Sequence, residues 1–268
     1  MTAQERPAPP AIDASVAHPA RRYDYWLGGK DNFAADRESG DAIAATFPAI
    51  RTAVVENRRF LRRAVSYLAA SCGVRQFLDI GTGLPTADNT HEVAQRVAPA
   101  ARVVYVDNDP LVLVHARALL TGTGPGETAY VDADLRDPAR ILRDAAATLD
   151  FSEPIALMLI AVLHFIPEED DPYAVVRTLT GALPPGSFVA ISHATSDYLP
   201  PEVAAELHSG KHGQGRLRTR PEFTRFFDGL DLLSPGVVPL SEWRDDTEDR
   251  TRPAAEETAM YAAVARVP

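Results

Sequence analysis

The stretch FLDIGTGLPTADN, residues 77–89, decides the fold. A short apolar run, RQFLDI at 75–80, meets Gly81 and Gly83 and then a polar, helix-opening cluster. A glycine turn between a strand and a helix lets the backbone approach a ligand closely and points free helix N–H groups at an anion. Alone, two glycines imply no more than a tight strand-to-helix turn. The segments on either side give the turn its meaning.

Downstream, strand-like and helix-like segments alternate. Thr86 to Val97 reads as a helix and RVVYVD (102–107) as a strand. A helix follows from Pro110 to Leu120, with Asp109 as its N-cap and Pro110 in its first position. ETAYVDAD (127–134) is a strand, Pro138 to Leu149 a helix, and IALMLIAVL (155–163) a strand apolar enough to be covered on both faces. Asp171 to Ala182 is a helix and SFVAISH (187–193) the fifth strand. Helical stretches at about 201–208 and 221–227 and two β-like segments, about 236–240 and 258–267, complete the chain, while SEWRDDTEDRTRPAAEE (241–257) reads as a charged surface loop. Strands alternating with helices predict an α/β fold with a mostly parallel sheet and right-handed crossovers.

Upstream, residues 1 to about 20 are rich in Pro and Ala and read as a flexible or surface-wrapped arm. From about Ala34 to Ala70 the pattern is helical, broken near Pro48. Val54, Leu61, Val65 and Leu68 share one face, with Arg58, Arg59, Arg62 and Arg63 placed opposite. Between lies YDYWLGGKDNFAADR (23–37), which suits neither a core strand nor an uninterrupted helix.

The glycine turn fails the dinucleotide fingerprint, because position 86 is Thr86 where a third glycine is required. Asp79 stands two residues before the first glycine, where a dinucleotide site carries an apolar residue. Asp107, at the end of the second strand, can accept from two ribose hydroxyls. Asp134, at the end of the third, can accept from an adenine amino group. A helix cap or a solvated turn aspartate is the plain alternative at each, and Asp132, Asp134 and Asp137 lie close together. So many carboxylates suit a pyrophosphate badly. They suit a ligand with a ribose, an adenine, an amino acid and a cationic sulfonium, namely S-adenosylmethionine.

The same segments carry a resemblance. IDASVAHPARRYDYWLGGKDNFAADRE (12–38), NRRFLRRAVSYLA (57–69), QFLDIGTGLPTADNTHEVAQ (76–95), VVYVDNDPLVLVHARALL (103–120), DADLRDP (132–138), ALMLIAVLHFIPEEDDP (156–172) and PGVVPLSEWR (235–244) look like the actinobacterial S-adenosylmethionine-dependent methyltransferase family once catalogued as DUF574. The resemblance runs from Ile12 to the C-terminus. It implies a class I, Rossmann-like methyltransferase with a seven-stranded, mostly parallel sheet and an N-terminal helical extension. It also implies S-adenosyl-L-methionine as cofactor, bound by Asp79, Gly81, Thr82, Gly83, Asp107, Asn108, Asp134 and Leu135. On this division residues 1–20 are the arm, 21–72 a helical cap or lid, and 73–268 the cofactor-binding domain. The acceptor is left open.

Methyl transfer from a sulfonium needs mainly a nucleophile held in line about 3–3.5 Å from the methyl carbon. A base is needed only where the acceptor must lose a proton. His164, read at the end of the fourth strand, is the candidate for that task, with packing against the adenosyl group or capping the strand as the favoured alternative. Tyr23, Tyr25 and Asn32 are candidates for a lid and acceptor wall, and Arg218, in the basic, glycine-interrupted segment 208–220, for an anionic part of the acceptor. No metal site is assigned. The competing readings are a protein that binds the cofactor without transferring the methyl group, and an NAD-dependent oxidoreductase, which Thr86 and Asp134 disfavour.

The bulk numbers fit a small-molecule enzyme. Of 268 residues, 46% are apolar and 24% charged, with a net charge of −10, which argues against nucleic acid as partner. The longest apolar run, 154–167, is too short to span a bilayer. The single cysteine, Cys72, excludes an intrachain disulfide and fits a reducing cytosol, and no signal peptide is read at the N-terminus.

Overall fold

The computed structural model describes residues 12–119, 126–209, 215–244 and 251–268. The expected arm up to residue 11, the middle of segment 208–220 and residues 245–250 of the charged loop lie outside the described residues, as does Leu120 at the expected end of its helix. Three helices precede the sheet: α1 (Pro19–Trp26), α2 (Ala34–Thr46) and α3 (Ile50–Ala70). The alternation then runs β1 (Gln76–Ile80), α4 (Thr90–Val97), β2 (Arg102–Asp107), α5 (Pro110–Leu119), β3 (Thr128–Asp132), α6 (Pro138–Ala145), β4 (Ala156–Ile160), α7 (Pro172–Gly181) and β5 (Phe188–Ala194). After it come α8 (Pro201–His208), α9 (Arg220–Thr224), the two-residue strands β6 (Asp231–Leu232) and β7 (Val238–Pro239), α10 (Ala255–Thr258) and β8 (Met260–Arg266).

The sheet order is β3-β2-β1-β4-β5-β8-β6, a path of seven strands, with β7 added alongside β8. Strands β1 to β5 pair in parallel, whereas β8 runs antiparallel to β5, β6 and β7. From β1 the chain goes out to β2 and β3 on one side, then returns to β4 on the other. The crevice outside the carboxyl ends at that reversal is where open α/β sheets take ligands.

Strand periodicity decides what faces what. In β1, Leu78 and Ile80 join one core with Val104 and Val106 of β2, Leu157 and Leu159 of β4, and the α6 and α7 side chains Ile141, Val176 and Leu179. Phe77 faces the other core, with Val103, Tyr105, Met158 and the α3 side chains Phe60, Leu61, Val65 and Leu68. Each such buried aliphatic or aromatic side chain contributes about 1.5–3 kcal/mol. Asp79 and Asp107 share the parity of Phe77 and Tyr105, so both turn toward the α3 and α4 layer at the end of the sheet. α3 is thus a layer of the sheet core. Within 21–72, only α1, α2 and the loop between them lie outside that layer.

Several boundaries differ from the sequence expectations. The helix expected from Thr86 starts at Thr90, because Asn89 and Glu92 form a capping box that fixes its start. The strand expected to reach residue 163 stops at Ile160. Ala161 takes a left-handed φ of 54°, and Leu163–Phe165 forms a 3-10 turn. The arm expected through residue 20 is tied down by residue 18: the His18 N–H donates to Asp36 at 2.8 Å, and His18 stands at the N-cap position of α1. The loop expected at 241–257 has a packed start, since Trp243 is wholly buried edge-on against Phe60 at 5.5 Å.

Candidate functional site

β1 ends in the glycine turn, and both glycines have left-handed φ, 76° at Gly81 and 68° at Gly83. At Gly81 a Cβ would lie 2.4 Å from Val162 Cγ2, so the residue is required by close approach as well as by φ. The Gly81 N–H donates to the Val106 carbonyl at 2.8 Å, which stitches the turn to β2. The Thr82 hydroxyl donates to the Asp79 carbonyl at 3.0 Å. A cleft of about 230 Å³ opens above this turn.

Two buried carboxylates stand beside the turn. Asp79 is 3% exposed and accepts the Thr90 hydroxyl at 2.6 Å. Burial pushes its carboxyl up to about 6 against the pull of Thr90 and Arg58, and the Asp107 charge adds to the rise. Asp107 accepts the Gly83 N–H through one oxygen at 2.8 Å and the Asp109 N–H through the other at 2.9 Å. Burial raises its pKa as well, despite those two donors. Each Asp107 oxygen keeps a lone pair for a further donor, as two ribose hydroxyls require.

The third acid has a different environment. Asp134 lies at the cleft mouth, where the Arg136 side chain, through Nε at 2.9 Å and Nη2 at 2.6 Å, holds its carboxyl down at about 2. Asn108 donates to it at 3.0 Å, and Leu135 lines the same wall with its side chain in the core. Asp79, Gly81, Thr82, Gly83, Asp107, Asn108, Asp134 and Leu135 therefore all line one cleft.

The N-terminal segment closes the other side. His18, Ala20, Tyr23, Asp24 and Leu27 line the cleft. Asp109 holds them there, taking His18 Nδ1 at 2.9 Å and Arg21 Nε at 3.2 Å, while Arg21 also reaches Asp36 at 3.6 Å. Asp109 caps α5 as expected, accepting the Leu111 N–H at 2.9 Å, so one side chain secures two elements. Tyr23 donates to the Val54 carbonyl at 3.1 Å and accepts from Asn57 at 2.8 Å; Asn57 accepts the Ser192 hydroxyl at 2.6 Å. Burial pushes the Tyr23 phenol up to about 12.

Four sequence candidates lie elsewhere. Tyr25 donates to Asp41 at 2.8 Å and lies against Arg51, and Asn32 donates to Asp24 at 2.8 Å; neither lines the cleft. Asn32 thus serves the cleft indirectly, by fixing Asp24. Arg218 is wholly buried. It donates to the Leu163 and Ile166 carbonyls and to Glu168, and Nη1 lies 2.8 Å from His193 Nε2. Its fork is used up, so the expected contact with an acceptor anion is corrected to a clasp on the 163–168 segment. Because arginine only donates, His193 Nε2 is the acceptor and its Nδ1 carries the proton, which goes to the Ala194 carbonyl at 2.7 Å. His164 sits on the 3-10 turn beyond β4, and its neighbours Val162 and Phe165 line the cleft while it does not. Burial, then the Arg218 and Arg22 charges, depress its imidazole to about 3, which makes it a poor proton acceptor near neutral pH.

The sequence reading missed Asp24, Asn57 and Arg58, all of which line the cleft. A signal for Arg58 was present. It falls four residues after Val54 and three before Leu61, on the apolar stripe of α3, where a charge is out of place.

The S-adenosyl methyltransferase family model matches residues 5–268. The chain belongs to that family. It is an S-adenosylmethionine-dependent methyltransferase with the family's Rossmann-like fold. A DUF574 family protein from Streptomyces avermitilis is 47% identical, with a TM-score of 0.89 over 96% of this chain and 100% of that one. A candidate methyltransferase from Thermobifida fusca is 42% identical, with a TM-score of 0.88 over 97% and 98%. At 16% identity, a SAM-dependent methyltransferase from Anabaena variabilis shares the fold, with a TM-score of 0.51 over 97% and 99%. Nothing among curated proteins matches the chain. Among the described residues no helix is long and apolar enough to cross a membrane.

Proposed function

We propose that this methyltransferase acts on a small-molecule acceptor, with the cofactor seated across the carboxyl ends of β1, β2 and β3. The observation that carries the reading is the pair of buried carboxylates, Asp79 and Asp107, flanking a glycine turn that has no room for a side chain at Gly81. Burial makes both anions costly, and a cationic, hydroxyl-bearing ligand offsets that cost. When bound, S-adenosylmethionine supplies a methyl group on a positively charged sulfur.

Asp107 holds the ribose hydroxyls, Asp79 faces the charged aminoacyl end, and Asp134 with Asn108 borders the adenine. Leu135 supplies apolar contact. Residues 18–46 form the cap, with Tyr23 as a polar tip on an apolar wall. Its phenol keeps its proton and gives it to the Val54 carbonyl, so Tyr23 serves as a fixed part of the wall and not as a base. No general base is assigned, because His164 lies off the cleft and resists protonation; in-line positioning in a dry site supplies the rate. The small cleft and the net charge of −10 favour a small molecule over a nucleic acid.

Calorimetry with S-adenosylmethionine, S-adenosylhomocysteine and NAD tests the reading. Both adenosyl ligands are expected to bind and NAD is not. Asp107→Ala is expected to cost about 1.5–3 kcal/mol of adenosyl affinity, the loss of a charged acceptor. Unchanged affinity refutes the ribose assignment, and absence of adenosyl binding refutes the site.

A further inference from the structure

Asp24 is a fourth carboxylate of the cleft, and it stands on the cap, across from Asp79, Asp107 and Asp134 at the strand ends. The residue is 4% exposed. Its Oδ2 accepts the Asp31 N–H at 3.0 Å and the Asn32 side-chain amide at 2.8 Å, so the loop after α1 fixes the group. Its Oδ1 accepts nothing from any described residue, and it is not sealed off from the cleft. Gly29 makes room for it, because a Cβ there would overlap Oδ1. Stapling the loop needs only Oδ2. A buried carboxylate held in place with one oxygen open is an acceptor awaiting a donor.

S-adenosylmethionine does not supply that donor. Its own donors are an ammonium, two ribose hydroxyls and an adenine amino group, and Asp79, Asp107 and Asp134 answer them in the reading above. The acid on the opposite wall is left for the second substrate. A fixed, buried anion is matched best by a cation that also donates a hydrogen bond. An anionic acceptor would meet these four carboxylates against Arg58 and Arg136, and Arg136 is already spent on Asp134. Leu27, one turn on from Asp24, and Val162, Phe165 and Ile166, from the turn after β4, give the same cleft its apolar wall.

We infer that Asp24 receives a protonated amine of the methyl acceptor through Oδ1, so that the acceptor is a small molecule with an apolar body and a cationic nitrogen. The inference rests on the cofactor reading above, which leaves Asp24 unused. It also gives Gly29 and Asn32 a task in a stretch that suits neither strand nor uninterrupted helix. One clears the space for the carboxylate and the other holds it.

Ligand-observed NMR on the protein loaded with S-adenosylhomocysteine tests this with matched fragments: an amine, the corresponding alcohol and the corresponding carboxylate, beginning with benzylamine, benzyl alcohol and benzoate. The unmodified protein is expected to bind the amine about 10-fold more tightly than the alcohol, the worth of a charge-assisted hydrogen bond, and the carboxylate least. Asp24→Asn keeps one oxygen for the Asp31 and Asn32 donors and puts an NH₂ in place of the open oxygen. It is expected to erase the preference for the amine. Gly29→Ala, which crowds Oδ1 but keeps the charge, is expected to weaken the amine as well. The first comparison needs no variant and stands even if either one fails to fold. An unmodified protein without a preference for amines, or with no affinity for any fragment, overturns the inference. So does a preference that survives Asp24→Asn, because Asp24 would then only brace the loop. A 10-fold loss of S-adenosylhomocysteine affinity in Asp24→Asn also overturns it, because the carboxylate would then serve the cofactor. If the unmodified protein does not bind S-adenosylhomocysteine, the cofactor reading itself falls; if it does and the fragments show no preference, only the amine assignment falls.

Discussion

Replacing Asp79 with asparagine is expected to stabilise the ligand-free protein and to weaken its grip on the cofactor at the same time. The carboxyl is 3% exposed and rises from an ordinary 3.8 to about 6, chiefly through burial. A raised carboxyl pKa means that the folded state holds the proton more tightly than the unfolded chain. The stabilisation is full below about 3.8 and is lost as pH rises through about 6. At 1.36 kcal/mol per pK unit the loss is about 3 kcal/mol. Asparagine keeps an acceptor for the Thr90 hydroxyl and never ionises. At pH 7.5, Asp79→Asn should therefore gain up to about 3 kcal/mol, or roughly 6–12 °C in Tm for a chain of this size. Scanning calorimetry of both proteins between pH 4 and 8 checks this. The two Tm curves should lie close together at pH 4, separate through pH 6 and run parallel above it; titration with S-adenosylmethionine at pH 7.5 should show weaker binding by the variant. Parallel Tm curves throughout, or an asparagine variant less stable at pH 7.5, would refute the claim that this carboxylate is kept at a cost to the fold.

Gly81→Ala forces an L-residue into left-handed φ and drives a Cβ into Val162. It should lose at least about 1–2 kcal/mol in urea unfolding, with adenosyl affinity falling alongside. Arg218→Met leaves the Ile166 carbonyl and His193 Nε2 without this donor, while the Leu163 carbonyl keeps the Ile166 N–H and Glu168 keeps Arg216. A loss of about 1–3 kcal/mol in chemical denaturation is expected, the cost of leaving buried acceptors unsatisfied. Arg21→Met removes the guanidinium from buried Asp109 and loosens α1 from the β2–α5 junction. Stopped-flow displacement should show faster release of S-adenosylhomocysteine than from the unmodified protein, and an unchanged release rate would mean that the cap does not govern exit.

What the sequence reveals here follows how local the cause is. Asp107 and Asp109 are legible because strand parity and the Asp-Pro helix start are short-range rules, and both residues sit where those rules put them. Asp79 is legible for the same reason, since the alternation of β1 turns it away from Leu78 and Ile80. His164 was misplaced because an alanine at left-handed φ, Ala161, ends β4 early, and nothing in an alanine announces that conformation. Arg218 read as a cation for the acceptor's anion, because its actual partners lie on β5 and on the turn after β4, far away in sequence. Trp243 sits in a charged segment and is buried by contacts with α3 residues Phe60 and Tyr67. Arg58 could have been found, since its place on the apolar stripe conflicts with its charge; the run of four arginines hid it.

The antiparallel strand β8 has a consequence for biosynthesis. β5 is buried along most of its length, and in the finished sheet β8 pairs with it from Phe188 through Ala194. That partner is not made until residues 260–266 have been translated. Until then the nascent chain carries a parallel half-sheet with an open apolar edge, a template for pairing with neighbouring chains. A ribosome-bound chain ending shortly after β5 should therefore be protease-sensitive and dependent on holdase chaperones, and protection should appear in one late step when β8 docks.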